Sequence, residues 1–298
     1  MNCGCEYTGF PLFRNLKPYS RLTHSIGVGQ IVWQHTHDKA QAVSGLLHDI
    51  STPVFAHVID FLRGDYLHQE ATEDLTRLMI AQSPEITSIL ADEGIPIDAV
   101  ADYHLYPIAD NDTPRLSADR LEYTLVNMVN FGFATAETAQ SLYDGIIVGD
   151  AGHEGKELVF RGAEKATQFA WLSMKCSEVY VCDADRYSMQ MLAELVGKAI
   201  HEGVITKSDL YSDEPTVIAK FLQHPGTKDK WLRFCAMNRI VLPQRDTPMS
   251  RVINAKRRCI DPYVDGQGRV SEICLQYRQA LDEFRGRSLD YRIEGRSS

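Results

Sequence analysis

The chain of 298 residues is 44% hydrophobic and 24% charged, enough for one large domain or two modest ones with a substantial core. Its net charge of −9 and pI of about 5.6 exclude the broadly basic face on which nonspecific nucleic-acid binding depends. They leave room for a phosphate held locally by a few Arg or Lys residues and a metal. No apolar run approaches the roughly 20 residues that span a bilayer. The opening "MNCGCEYTGF" lacks the basic and apolar regions of a signal peptide, so a cytoplasmic location and no membrane partner are expected.

Helical periodicity dominates the pass along the chain. Seven Cys suit a reduced compartment better than a disulfide framework, and Cys3 and Cys5, with no second pair at zinc-site spacing, read as an exposed N-terminal pair. Residues 20–36 predict a helix with Ser20 as N-cap and Leu22, Ile26, Gly29 and Trp33 at helix spacing. A second helix is expected over 39–49, with Ala42, Val43, Leu46 and Leu47 inward. Thr52-Pro53 reads as the start of a third, running to about Arg63. Further helices are expected over 68–82, 85–93, 97–104, 117–130 and 135–147. "GDAGHEGKELVFRG" suggests a hairpin, two long helices fill 162–202, and another covers 208–224. Beyond Pro243 the chain mixes loop and strand. Trp33, Trp171 and Trp231 read as core. The weak boundary at Gly149–Gly155 divides residues 1–150 from a helical extension, 151–298, packed on them.

Within this pattern His24, His48 and His57 sit in two apolar helical stretches, with Asp49 beside His48. Buried imidazoles and carboxylates are costly unless paired. A divalent ion is one such partner. Asp119, in "SADRLEYTL", comes from a further helix whose Leu121, Leu125 and Met128 turn one face to the core. Two imidazoles and two carboxylates suit a borderline or hard divalent ion with positions left open. His37-Asp38 is a second His-Asp pair among polar residues and reads as solvated surface. His104 reads as a partly buried structural His.

The stretches "RLTHSIGVG", "LLHDISTPVFAHVID", "HQEAT" and "LSADRLEYTL" together resemble the HD-domain phosphohydrolases. Within them the chain looks most like the dNTP triphosphohydrolase branch, which includes dGTPases and the SAM-and-HD-domain enzymes. "AKRRCIDPYV" is similar to a late segment of that branch. The resemblance implies a mostly α fold, an HD-domain helical core with additional C-terminal helices and a small β element. It implies one divalent metal ion (Mn, Fe, Ni, Co or Mg) held by His24, His48, Asp49 and Asp119. His57, Asp60 and His68 match active-site residues of the family. Arg21 matches a phosphate-contacting Arg, and Arg120 and Tyr123 match residues that contact phosphate and sugar. Asn127 stands where the family has an Asp against a sugar hydroxyl. Thr52 stands where the family has its first catalytic His, and Thr exchanges no proton near neutral pH. The implied activity is metal-dependent hydrolysis of a nucleotide phosphate, with dNTPs first. A 5'-nucleotidase, a cyclic-nucleotide phosphodiesterase and a non-catalytic nucleotide-binding module stay open as alternatives. A nucleotide or other small phosphorylated compound is the expected partner, and a homo-oligomer is implied by the branch.

Overall fold

The computed structural model describes residues 3–63, 75–152 and 155–298. Among these residues the fold is mostly α. In chain order the helices are α1 (Arg21–Thr36), α2 (Lys39–Leu47), α3 (Val58–Arg63), α4 (Thr76–Gln82), α5 (Pro84–Asp92), α6 (Ala118–Asn130) and α7 (Ala136–Tyr143). The hairpin follows as β1 (Ile146–Asp150) and β2 (Lys156–Phe160), paired antiparallel from Ile146 opposite Phe160 to Asp150 opposite Lys156. Then come α8 (Ala163–Tyr180), α9 (Asp183–His201), α10 (Glu214–Gln223) and α11 (Pro225–Ala236). The tail adds β3 (Arg239–Val241), β4 (Arg251–Val252), β5 (Tyr263–Val264), β6 (Gly268–Arg269), α12 (Val270–Ile273), α13 (Leu275–Gly286) and β7 (Arg292–Arg296). Four strands form a sheet in the order β1-β2-β5-β6 and three form another, β3-β7-β4.

Helix starts follow side-chain caps. Ser20 Oγ accepts from Thr23 N at 3.1 Å, Asp38 Oδ1 from Gln41 N at 3.1 Å and Ser117 Oγ from Arg120 N at 3.3 Å. His37 ends α1 in the left-handed region (φ 53°) and Asp38 caps α2, so the second His-Asp pair is an exposed helix junction.

Several expectations are corrected. The buried face of α1 carries His24, Val28, Ile31 and Val32, whereas Leu22, Ile26 and Trp33 are 67%, 42% and 45% exposed. His24 shares a stripe with the aliphatic residues four, seven and eight positions on, so the polar-looking histidine marks the inner face. Leu46 is also exposed, and Ser44 and Gly45 take the buried positions of α2. Thr52-Pro53 starts no helix: residues 53–57 form a turn with Phe55 (φ 61°) and Ala56 (φ 45°) left-handed, and α3 begins at Val58. Residues 97–104 form two short 3-10 turns, and α7 stops at Tyr143 so that β1 can begin at Ile146. The helix α11, around buried Trp231, was not expected. Trp171 is partly exposed. The expected helix over 68–82 is described only from Thr76.

The core has two main apolar clusters. One joins Val28 and Val32 of α1, Leu121 and Met128 of α6, Phe160, Phe169 of α8 and Phe284 of α13. The other joins Cys5, Phe10, Val54, Ile59, Leu192 of α9, Phe221 and Trp231. Each draws on both sides of residue 150. The Cys3–Cys5 segment is therefore no exposed tail; Cys5 is fully buried against α9. The seven cysteines are free thiols. No helix among the described residues is long and apolar enough to cross a membrane.

Candidate metal centre and cavity

His24 lies one turn into α1 on its buried face, and His48 closes α2. Each ring has one nitrogen already committed. His24 Nδ1 stands 2.5 Å from Glu122 Oε2, and the Tyr19 hydroxyl, 3.1 Å from that nitrogen, also donates to Glu122. His48 Nδ1 donates to the Gly45 carbonyl at 2.7 Å. These partners set both rings with Nε2 turned inward, the way a metal-bound His is oriented by what its other nitrogen touches. Asp49 follows His48, and its Oδ1 accepts from Thr52 Oγ1 at 2.7 Å. Asp119 sits in the first turn of α6.

Ligand atoms of His24, His48 and Asp49 all lie within 4.8 Å of one another. Asp119 Oδ1 is 3.0 Å from His24 Nε2 and 3.9 Å from His48 Nε2, and Asp49 Oδ2 is 3.8 Å from His48 Nε2. Two ligands about 2.1 Å from one ion and at right angles to each other stand about 3 Å apart. The donor set, its spacing and its pre-oriented imidazoles therefore fit a divalent ion. Burial lowers the proton affinity of His24, but hydrogen bonds to Asp119 and Glu122 outweigh it and raise its pKa to about 10. Burial pushes Asp119 up, and its contacts with His24 carry it the other way, well below the ordinary value. A proton on His24 is thus what an ion would displace.

The centre forms one wall of a cavity of about 810 Å³. His57 lines it, delivered by the left-handed turn at Phe55 and Ala56. His57 Nδ1 is 3.0 Å from Asp60 Oδ2, and its Nε2 is 2.9 Å from Arg258 Nη2. A carboxylate only accepts, so Nδ1 carries the hydrogen and Nε2 the lone pair. Burial and then the Arg258 charge hold His57 below the ordinary histidine value, against the opposing pull of Asp60. Asp60 is completely buried, and among the described residues its Oδ1 has no hydrogen-bond partner. His68 lies outside the described residues.

Arg120, Arg115, Lys256 and Arg258 supply the cavity's cations, with Tyr123, Asn127 and Tyr180 along one side. Arg120 donates to the Arg115 carbonyl at 2.9 Å and to Asn111 Oδ1 at 2.6 Å, and stands 3.3 Å from Asp110. Asn127 Nδ2 donates to the Tyr180 hydroxyl at 2.7 Å. Arg21, expected at a phosphate, is placed beside the turn that carries His57. Its guanidinium donates to the Thr52 and Pro53 carbonyls, the latter at 2.7 Å, and it is not among the cavity-lining residues. It buttresses the turn that carries His57 instead. His104 pairs with Asp110 at 3.0 Å on the cavity rim.

Sequence reasoning missed Glu122, Tyr19, Tyr180 and Arg258. Glu122 follows Asp119 by three positions, the spacing that puts it on the same helix face. Arg258 had a signal only in the tail phrase "AKRRCIDPYV".

No family model matches the chain. The "Uncharacterized protein YdhJ" of Bacillus subtilis is 27% identical over 203 residues, 67% of this chain and 60% of that protein. The "Metal-dependent phosphohydrolase cns2" of Cordyceps militaris is 31% identical over 144 residues, 46% of this chain and 39% of that protein. The chain is distantly similar to a protein named for metal-dependent phosphohydrolysis. It spans less than two thirds of the length of both relatives.

Proposed function

We propose that the protein is a metal-dependent phosphohydrolase of the HD-domain type that acts on nucleotides, dNTPs being the first compounds to test. The observation that carries the reading is one cavity joining the His24, His48, Asp49 and Asp119 set to the His57–Asp60 pair and to a cationic wall. The distant similarity to a named metal-dependent phosphohydrolase supports it.

In this reading His24, His48, Asp49 and Asp119 hold the ion. When bound, a divalent ion polarises a phosphoryl oxygen and offsets the charge that builds there. Glu122 and the Gly45 carbonyl keep the two imidazoles aimed at it. Arg120, Lys256 and Arg258 bind the remaining phosphate charge, which the overall acidity of the chain would otherwise repel. Tyr123, Tyr180 and Asn127 flank the sugar, and the amide of Asn127, able to donate as well as accept, relaxes the choice of sugar hydroxyl. His57 moves a proton at Nε2 while Asp60 holds Nδ1–H. Thr52 is tied to Asp49, so it orients a ligand and carries no proton.

The test is metal analysis of the purified protein, then a panel of dNTPs, NTPs, monophosphates and cyclic nucleotides with Mn, Mg, Co, Ni or Fe supplied. Tripolyphosphate from dNTPs supports the proposal. Orthophosphate from monophosphates alone moves the protein to a nucleotidase, and ring opening to a cyclic-nucleotide phosphodiesterase. No turnover with metal bound makes it a nucleotide-binding module. His57→Ala is expected to lower kcat by about 10²- to 10⁴-fold with metal content unchanged. A loss below about tenfold assigns His57 a structural role.

A further inference from the structure

The cavity has a direction. Asp119, Tyr123 and Asn127 follow one another at intervals of four along α6, about 6 Å apart, and all three line it. Phe131, just past the end of α6, lines it too, with the Tyr180 ring 6.5 Å away, and packs on the apolar cluster that holds Met189 of α9. The proposed ion ligands thus mark one end, and aromatic and thioether side chains the other. Asp185 is the acid of that second end. It stands one turn before Met189 on α9 and lines the cavity with it. Cys182 Sγ accepts from its backbone N at 3.4 Å, and Cys5 Sγ donates to its Oδ1 at 3.6 Å. Burial raises the Cys5 thiol well above its ordinary value, so it keeps the hydrogen it donates. Among the described residues Oδ2 has no hydrogen-bond partner. A carboxyl pinned at one oxygen and open at the other is placed to take a ligand's hydrogen bond.

We infer that Asp185 is the nucleobase-reading residue of the cavity, sorting bases by whether their edges donate or accept hydrogen bonds. The inference rests on the nucleotide reading of the site. The ion and the cations draw phosphate to the Asp119 end, which leaves the base at the end of Phe131, Tyr180 and Met189, where ring and sulfur contacts suit its faces. Asp185 then meets its edge. An ionised carboxylate only accepts, so it pairs with guanine, whose N1–H and N2–H lie side by side, and is repelled by the lone pair on N1 of adenine. A protonated carboxyl also donates, and takes adenine through N1 and N6. Both forms are at hand. Burial raises the Asp185 carboxyl to about 7, against the Cys5 hydrogen bond and the Arg258 charge, with Glu6 adding to the rise. Cys3, Cys5 and Glu6 face it from the N-terminal segment, Cys182 from its own helix start and Arg258 from the tail. The three thiols are themselves pushed up by burial and stay protonated near neutrality.

The test measures kcat/KM for dGTP and dATP at pH 6 and 8 with Mg²⁺ supplied, and the binding of dGMP and dAMP by calorimetry under the same conditions. The wild-type preference for dGTP over dATP should rise about tenfold across that range, because effects on phosphate, ion and His57 are common to both and cancel in the ratio. Asp185→Asn cannot ionise, and should hold the ratio near the wild type's pH 6 value throughout. The wild-type profile alone serves if that variant fails to fold. A constant wild-type ratio, or a variant that follows the wild type, overturns the inference. A dGMP-to-dAMP binding ratio that moves with pH in a protein that hydrolyses nothing refutes the hydrolytic reading and leaves the base reading standing. Hydrolysis with a constant ratio does the reverse, and binding of neither nucleotide overturns both.

Discussion

At the residue scale, the sequence puts His24, His48, Asp49 and Asp119 forward together, and the structure brings their side chains near one another from α1, the turn that ends α2 and the first turn of α6. His37-Asp38 has the same two letters and serves a different purpose. Asp49→Ala should abolish metal binding and activity, while Asp38→Ala should leave metal content unaltered and lose about 1 kcal/mol of stability with its N-cap. Equal metal loss in both would misplace the site. What was not legible is direction set by distant partners. Arg21 stands one turn before His24, yet its guanidinium is engaged by the carbonyls of Thr52 and Pro53. Lys256, Arg257 and Arg258 are three cations in a row, and nothing local says which one reaches His57. Asp185 is another case, an ordinary-looking acid at the start of α9 that lines the cavity. Burial pushes its carboxyl up to about 7. The folded chain therefore retains a proton that the unfolded chain releases near pH 4. The associated stability is present below that pH and is lost as pH rises through 7. Between pH 5 and 8 the wild type should lose up to about 3 kcal/mol relative to Asp185→Asn, measured by urea unfolding. A pH-independent difference would show the carboxylate ionised throughout.

At the element scale, the centre depends on how closely α1 and α2 approach. Gly29 and Gly45 make the crossing: a Cβ on Gly29 would meet the Ala42 carbonyl oxygen at 3.1 Å and Leu46 Cβ at 3.2 Å. Both belong to α2, which cannot yield there without moving His48. Gly29→Ala should gain up to about 1 kcal/mol in helix propensity and lose more to crowding, for a net cost of about 1–2 kcal/mol. Metal affinity should fall with it, because His24 and His48 ride on the two helices. Stabilisation with unchanged metal affinity would mean the helices separate freely. The long helices α8 and α9 and the hairpin β1–β2 were readable from periodicity and turn residues. The turn at 53–57 was not. Thr52-Pro53 is a good helix start locally, but Val54 N donates to the Leu210 carbonyl at 2.7 Å, a contact from the far side of the chain that diverts the backbone.

At the scale of the whole molecule, the tail is fastened by buried arginines. Arg269 binds Glu157 of β2 through two 2.7 Å contacts, both residues buried. Arg186, also buried, donates to the carbonyls of Ile253 and Leu289. These clamps hold the segment that presents Lys256 and Arg258 to the cavity. Glu157→Ala should cost about 3–5 kcal/mol by leaving the buried Arg269 charge without its carboxylate, whereas replacing both partners with Met should cost much less. Chemical denaturation of the two singles and the double decides; a double variant as unstable as the sum of the singles would show the charges uncoupled. The two main clusters each take residues from both sides of residue 150, where the sequence reading places its weak boundary with the second part packed on the first.

That two of the cavity's cations, Lys256 and Arg258, come from the tail bears on how the site is born. The ribosome delivers His24, His48, Asp49 and Asp119 first, and Arg258 roughly 10–30 s later at ordinary elongation rates. For that interval the nascent chain carries the proposed ion ligands without Arg258. The proposed ion ligands precede the tail's proposed phosphate-binding cations in the order of synthesis. Both core clusters draw on residues beyond 250, so the centre closes only after those cations have been made.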